Sequence, residues 1–262
     1  MKKLLLLLFT ICFFQFSYAQ WELGFGYTNQ TALGAMATNI NAAHGFHFQT
    51  GYRLPIPGRH FVASLETGTG RYGKKKITQT FQSEDVTEPT EMPVNYINFA
   101  NYTHVNLRFE IVRKGKIIPY VQMLGGIQTL GTKVRINIHE AQVGNDDCLP
   151  LENQVTFRKS TMTWGYGGGV LINLSRNRCG EMNNGSQLNI SVSRIQGKRI
   201  DYVNVKQLEQ PANQQPTDES KPLTMQFVNL NTNNIHDHTV ARVYNSPLQQ
   251  LQIKVGLLFK LY

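Results

Sequence analysis

The sequence predicts an all-β fold, an antiparallel up-and-down transmembrane β-barrel of about eight strands. Three observations predict it: an export signal, recurring strands with one apolar face, and connections that alternate between short and long. Met1-Lys2-Lys3 precedes an apolar run from Leu4 to Phe16 that ends in Ser17-Tyr18-Ala19. A basic start, a short apolar middle and small residues before a cut make residues 1–19 a signal peptide, cleaved after Ala19. The run falls short of the ~20 apolar residues that a membrane-crossing helix needs. Cys12 sits inside it with no small residue just before, which argues against a lipid anchor. Loss of Lys2 and Lys3 with no acid lowers the formal charge by two, from +9 to +7, for residues 20–262. Export removes nucleic acid from the partners this basic chain can have. No later window reaches ~18 consecutive apolar residues, so a membrane can be crossed only by a closed barrel, which satisfies every backbone group in lipid.

The strands follow in order. Trp21, Leu23, Phe25 and Tyr27 alternate with Glu22, Gly24, Gly26 and Thr28, the period-two pattern of a strand with one greasy face. His44, Phe46, Phe48, Thr50, Tyr52 and Leu54 repeat it before the Pro55-Ile56-Pro57-Gly58 turn. A third strand carries Phe61, Ala63, Leu65, Thr67 and Thr69 on one side, and a polar loop is expected from Gly73 to about Asn95. The fourth alternates Ile97, Phe99, Val105, Leu107, Phe109 and Ile111 with Asn98, Tyr102, His104, Asn106, Arg108 and Glu110. Arg113-Lys114-Gly115-Lys116 turns the chain into a fifth, Ile117 to about Leu130. A sixth runs from about Thr161 to Leu174, a seventh starts near Gln187, and the last spans Leu251 to Tyr262.

Short links at one rim and long ones at the other are the transmembrane-barrel arrangement. The region from about 197 to 247, rich in Gln, Asn, Pro and Thr, is expected to be a long polar loop. Within it, Leu223 to Leu230 and Thr239 to Tyr244 can be strand extensions above the membrane or an extra hairpin, which leaves ten strands open.

Ile118-Pro119-Tyr120-Val121-Gln122-Met123-Leu124-Gly125-Gly126, Trp164-Gly165-Tyr166-Gly167-Gly168-Gly169-Val170 and the final Val255 to Tyr262 resemble the small OmpA/OmpX-like outer-membrane barrels of Bacteroidota. The resemblance is one of pattern over nearly the whole mature chain. It implies residence in the cell outer membrane, with outer-membrane lipids around the barrel. It also implies that the barrel-insertion machinery reads Val255, Leu257, Phe259, Leu261 and Tyr262.

Glu22, His47, Arg53, Glu66, His104, Arg108, Glu110 and Lys254 fall in the inward phase. An eight-stranded barrel is only wide enough to be filled by side chains, so these groups are expected to form a paired polar network that plugs the lumen. A proton or ion pathway is the sharper alternative. Gly165 to Gly169 does not lead into a helix and is not a phosphate loop. His236 and His238 have a spacing that suits a surface metal site but lack further ligands nearby, so no metal and no cofactor is expected. Cys148 and Cys179 are expected at opposite rims, which argues against a disulfide between them. Seven cations, Arg53, Arg59, Arg113, Lys114, Lys116, Arg176 and Arg178, fall at the rim with the short links.

The expected role is non-enzymatic: a structural or surface-interaction barrel whose outer loops meet an unknown extracellular ligand or partner. A lipid-modifying barrel enzyme and a soluble periplasmic lipid-binding barrel are the alternatives.

Overall fold

The computed structural model describes residues 21–56, 58–81, 90–112, 115–137, 148–174, 185–204, 206, 208, 220–230 and 232–261. The expected signal peptide, residues 1–19, lies outside the described residues together with Cys179 and Tyr262, as do Arg113, Lys114, Arg176 and Arg178 of the expected rim cations.

Eight strands close a ring in the order β1 (Trp21–Ala32), β2 (Ala43–Arg53), β3 (Phe61–Phe81), β4 (Thr90–Glu110), β5 (Ile117–Ile136), β7 (Gln154–Asn173), β8 (Ser186–Val203) and β10 (Ile235–Leu261). Every neighbour is antiparallel, and β10 returns to β1, pairing Leu261 with Trp21 and Gln250 with Ala32. The two remaining strands, β6 (Cys148–Pro150) and β9 (Ser220–Asn229), belong to the same sheet but do not enter this ring. Eight strands therefore build the barrel, and the expected extra hairpin is β9 paired with the first half of β10.

Two expected loops are corrected. The stretch from 73 to 95 is not one polar loop, because β3 continues to Phe81 and β4 begins at Thr90, with Lys74 paired to Ile97 and Phe81 to Thr90. The stretch from 197 to 247 is largely strand as well, since β8 runs to Val203 and β10 starts at Ile235. Polar composition misled here because these strands show polar side chains to the outside.

β4 makes the reason plain. Its even-numbered residues face inward over the whole strand: Met92, Val94 and Tyr96 are buried and apolar, then Asn98, His104, Asn106, Arg108 and Glu110 are buried and polar. Outward, Val105, Leu107 and Phe109 are exposed and apolar, while Glu91 is exposed and charged. β5 repeats the exchange, with Gln122 and Gln128 buried below and Val134 and Ile136 buried above. Outside, Val121, Met123 and Ile127 are exposed below, and Arg135 is exposed above. The backbone does not change face; only the apolar content changes side. Below the exchange the barrel has the surface of a membrane protein, and above it that of a water-soluble domain.

The lower part is an apolar belt. Phe46 is 72% exposed, Met123 and Met162 each 69% and Val105 63%. Leaving such side chains in water costs roughly 25 cal/mol per Å2 of apolar surface, so this belt belongs against acyl chains. Trp21 and Tyr52 meet edge to face at 5.3 Å at its terminal end, beside the stacked pair His60 and Phe109 at 5.5 Å. Amphipathic rings of this kind sit at headgroup level.

The upper part is a cap with its own core. β8 holds one edge of β10 up to Val243, which pairs with Val203 on that side and with Lys221 of β9 on the other. β9 thus takes the edge that β1 leaves free, and β6 pairs with β9, Leu149 to Val228. Phe81 of β3 packs on Phe227 of β9 at 4.8 Å, and Tyr96 donates to the Val240 carbonyl across the cap. Helix α1 (Ala35–Asn39) bridges β1 and β2 at the junction, with Met36 fully buried and Asn39 donating to Tyr202 at 3.0 Å. Ala32, Met36, Ile40 and Ala43 join Tyr72, Leu130 and Ile195 in one apolar cluster over the lumen.

Candidate functional site

The eight inward groups named from the sequence all lie buried in the lumen. β1, β2 and β4 bring four of them together near the terminal end. Arg53 Nη1 donates to Glu110 Oε2 at 2.8 Å, and Arg53 Nη2 donates to Glu110 Oε1 at 2.9 Å and to Glu22 Oε1 at 3.0 Å. Arg108 Nη2 donates to the other oxygen of Glu22 and, at 3.0 Å, to Glu110 Oε1. Two guanidinium and two carboxylate groups balance, and each carboxylate touches both cations. The Arg108 guanidinium also lies 5.5 Å from the centre of the Tyr120 ring.

One level further in, Lys254 of β10 reaches across to Glu66 of β3. Tyr102 donates to Glu66 Oε1 at 2.8 Å, and Asn106 donates to Glu66 Oε2 at 2.9 Å. The Tyr102 ring lies over Gly68, where a Cβ would come within 2.4 Å of it, so only glycine permits this cross-strand cover. His104 Nε2 meets the Thr163 hydroxyl at 3.1 Å, and its ring stacks on Tyr102 at 4.8 Å. His47 is buried at the same level but shares no direct hydrogen bond with the other seven among the described contacts. Above, Gln128 of β5 donates to Gln30 of β1 and to Gln250 of β10, both at 3.0 Å.

Links that join opposite walls define a filled interior. The sequence did not single out Gln30, Gln128, Gln250, Tyr102 or Asn106 for the network. Their signal was the inward phase itself, which uncharged amides share with the charged groups.

Of the terminal-strand residues, Val255, Phe259 and Leu261 are exposed on the outer face, and Phe259 stacks on Phe25 at 5.9 Å. Arg53, counted among the rim cations as well, lies inside the lumen rather than on the rim. Lys116 is exposed at the terminal end. Gly165 to Gly169 lies within β7, which continues to Asn173 as strand.

His236 and His238 share the inner side of the β9–β10 hairpin, with their Nε2 atoms 2.9 Å apart. Phe81 and Phe227 pack edge-on to His238 at 5.5 and 4.7 Å. Burial, reinforced by His236, pushes His238 down to about 4, so it is neutral at pH 7. One Nε2–H donating to the other Nε2 accounts for the contact. Among the described residues no three His, Cys, Asp or Glu side chains converge on one point.

No protein-family model matches the chain, and no curated protein matches it in sequence. Several solved barrels are similar in shape. Neisserial surface protein A aligns at 7% identity and TM-score 0.37, covering 92% of this chain and 96% of its own. Ail, the attachment invasion locus protein of Yersinia pestis, aligns at 9% identity and TM-score 0.38, with 93% and 97% covered. The outer membrane protease OmpT of Escherichia coli aligns at 8% identity and TM-score 0.38, with 93% and 96% covered.

Proposed function

We propose that this protein is a non-porous integral barrel of the outer membrane, non-enzymatic, whose rigid cap stands on the cell surface and engages an extracellular partner. The observation that carries the reading is the exchange of apolar and polar faces within single strands, as on β4 between Tyr96 and Val105. A belt greasy outside and polar inside fits lipid; a cap greasy inside and polar outside fits water. The two together describe a molecule that crosses a bilayer and continues beyond it. A soluble carrier of lipid has the opposite polarity, with an apolar interior to receive its ligand.

Trp21 of β1, Leu261 of β10 and the links that join β2 to β3 and β4 to β5 lie at one rim, while α1, β6 and β9 lie at the other. Barrels of the outer membrane place short turns in the periplasm and long connections outside, so the cap faces outward. The exposed belt residues Val255, Phe259 and Leu261, with Leu257 between them, then form the lipid-facing row offered to the insertion machinery. The buried charged lattice has a structural role, closing the lumen at its terminal end. The buried pair His104 and Thr163 faces this filled interior, out of reach of a lipid substrate. Protease shaving of intact cells tests the reading: cuts are expected only in the outer links, among them the one between Val203 of β8 and Ser220 of β9. Cleavage within 54–60 or 111–116 on intact cells overturns the orientation.

A further inference from the structure

Just above the belt, the outer wall formed by β3, β4, β5 and β7 carries three consecutive rows fixed by strand register. The first row reads Arg71, Phe99, Gly131, Arg158 and the second Lys74, Ile97, Lys133, Thr156. The third reads Lys76, Asn95, Arg135, Gln154. Strands lie ~4.8 Å apart and same-face residues ~7 Å apart, so six cations share a patch roughly 14 Å on a side. Arg71, Lys74, Lys76, Arg135 and Arg158 are exposed, and Lys133 is half-buried. Among the described residues no acid lies in these rows; the first ones beyond are Glu91 on β4 and Glu152 before β7.

The closest like charges stand ~7 Å apart along one strand, Lys74 to Lys76 and Lys133 to Arg135, while within each row at least one strand separates the cations. A β-bulge between Arg71 and Gly73 keeps both ends of the lysine run on the outside, since Tyr72 turns inward there and Lys74 and Lys76 resume the outer phase. The Phe99 ring lies over Gly131, where a Cβ would come within 2.2 Å of it, so the centre of the first row is flat and apolar between two arginines.

The height of the patch identifies what it meets. One row below lies a band of Thr69, Asn101, Thr129 and Ser160, in which Thr69 donates to Asn101 and Thr129 bonds Ser160, both at 2.8 Å. The next row down holds the exposed Ile127 and Met162, where the acyl chains end. The first cation row lies two rows above that one, roughly 10 Å higher on strands tilted by about 40°, at the level of lipid headgroups, and the other two rows follow above it. Arg forks match phosphate oxygens in pairs, and a flat apolar floor between them suits the glycerol or sugar that carries the phosphate.

We infer that this wall is a binding site for the phosphate-bearing headgroups of the leaflet around the cap. The inference rests on the membrane reading above. Phosphomonoesters, which carry more charge than diesters at pH 7, bind it best.

The test places the full chain in lipid nanodiscs of zwitterionic lipid containing a minor fraction of phosphatidic acid as the probe, with phosphatidylglycerol as the diester control. Native mass spectrometry counts retained lipid. The expected result is preferential retention of phosphatidic acid, weakened about tenfold or more by Arg71→Gln, Lys133→Gln and Arg158→Gln together, and left intact by Lys198→Gln on β8. Equal retention by the triple variant overturns the site. Protection by soluble dextran sulfate without lipid enrichment overturns it too, in favour of a soluble polyanion. A chain that never enters bilayers fails earlier, at the membrane reading, and is told apart by its absence from the discs.

Discussion

Arg53 holds Glu110 with two parallel hydrogen bonds, Nη1 to Oε2 at 2.8 Å and Nη2 to Oε1 at 2.9 Å, while its second nitrogen also reaches Glu22. Both side chains are almost wholly shielded from water. Replacing Arg53 by Met leaves two carboxylates against Arg108, with Lys260, cross-strand to Glu22, as the next cation near them. Breaking a buried pair from one side costs roughly 3–5 kcal/mol. Urea unfolding in detergent is expected to show that loss for Arg53→Met and to recover most of it for Arg53→Met with Glu110→Met. A double variant no better than the single one would mean that the pair is not coupled.

The lumen is expected to pass no current. Planar-bilayer recordings of the intact protein should show no resolved unitary steps, because the charged lattice closes the terminal end and the layer around Met36 covers the other. Widening only one barrier, by Arg53→Ala with Arg108→Ala, is expected to leave the barrel closed. Adding Met36→Gly should produce openings. Stable nanosiemens steps from the unmodified chain would contradict the filled interior.

The cap core is separable from the belt. Phe227 is fully buried against Phe81 and His238, and truncation to Ala leaves a cavity worth roughly 3–5 kcal/mol. Hydrogen exchange is expected to accelerate in β6, β9 and residues 235–244 of β10. Amides facing each other in the belt, such as those of Val105 and Gly125, should keep their protection. Uniform acceleration through the barrel would show one cooperative unit instead of two.

Acid should loosen the β9–β10 hairpin. His238 has a folded pKa of about 4, below its ordinary 6.5, through burial and the neighbouring His236, with Asp237 opposing. A depressed histidine binds its proton in the unfolded state first. Its contribution is therefore complete above pH 6.5, declines as pH falls toward 4, and changes no further below. The sensitivity of residues 230–240 to limited proteolysis should rise over that window in the native chain and stay flat in His238→Phe. A titration of His238 centred near 6.5 by NMR would remove the basis for this.

The belt was legible and the cap was not, for one physical reason. Period-two alternation with apolar residues at Val105, Leu107 and Phe109 and charge at Arg108 and Glu110 identifies a lipid-facing strand and its lumen groups together. The same backbone period continues through Val94 and Tyr96, but Lys74 to Lys76 across the sheet looked like a solvated loop because outward cations replace outward apolar groups there. Bulges hid the rest. Tyr72 shifts the phase of β3, and irregularities at Thr239/Ala241 and Pro247/Gln249 break β10 into three short patterns, of which the last reads as a full strand and Thr239 to Tyr244 only as an extension or an extra hairpin. Ile235 to Gln250 therefore had no single alternation to find. The inward charges were visible because charge in a greasy strand stands out; the inward amides Gln30, Gln128 and Gln250 did not.

β10 carries a further implication for how the molecule is assembled. It is the one strand that both zips the ring shut against β1 and offers β9 an edge to rest on, and through β9 gives β6 its seat. Until that final segment arrives, the outer turret has no scaffold, however early its pieces leave the ribosome. A chain without β10 is thus an open sheet with a headless rim, which makes the cap of this molecule a report that its ring has closed.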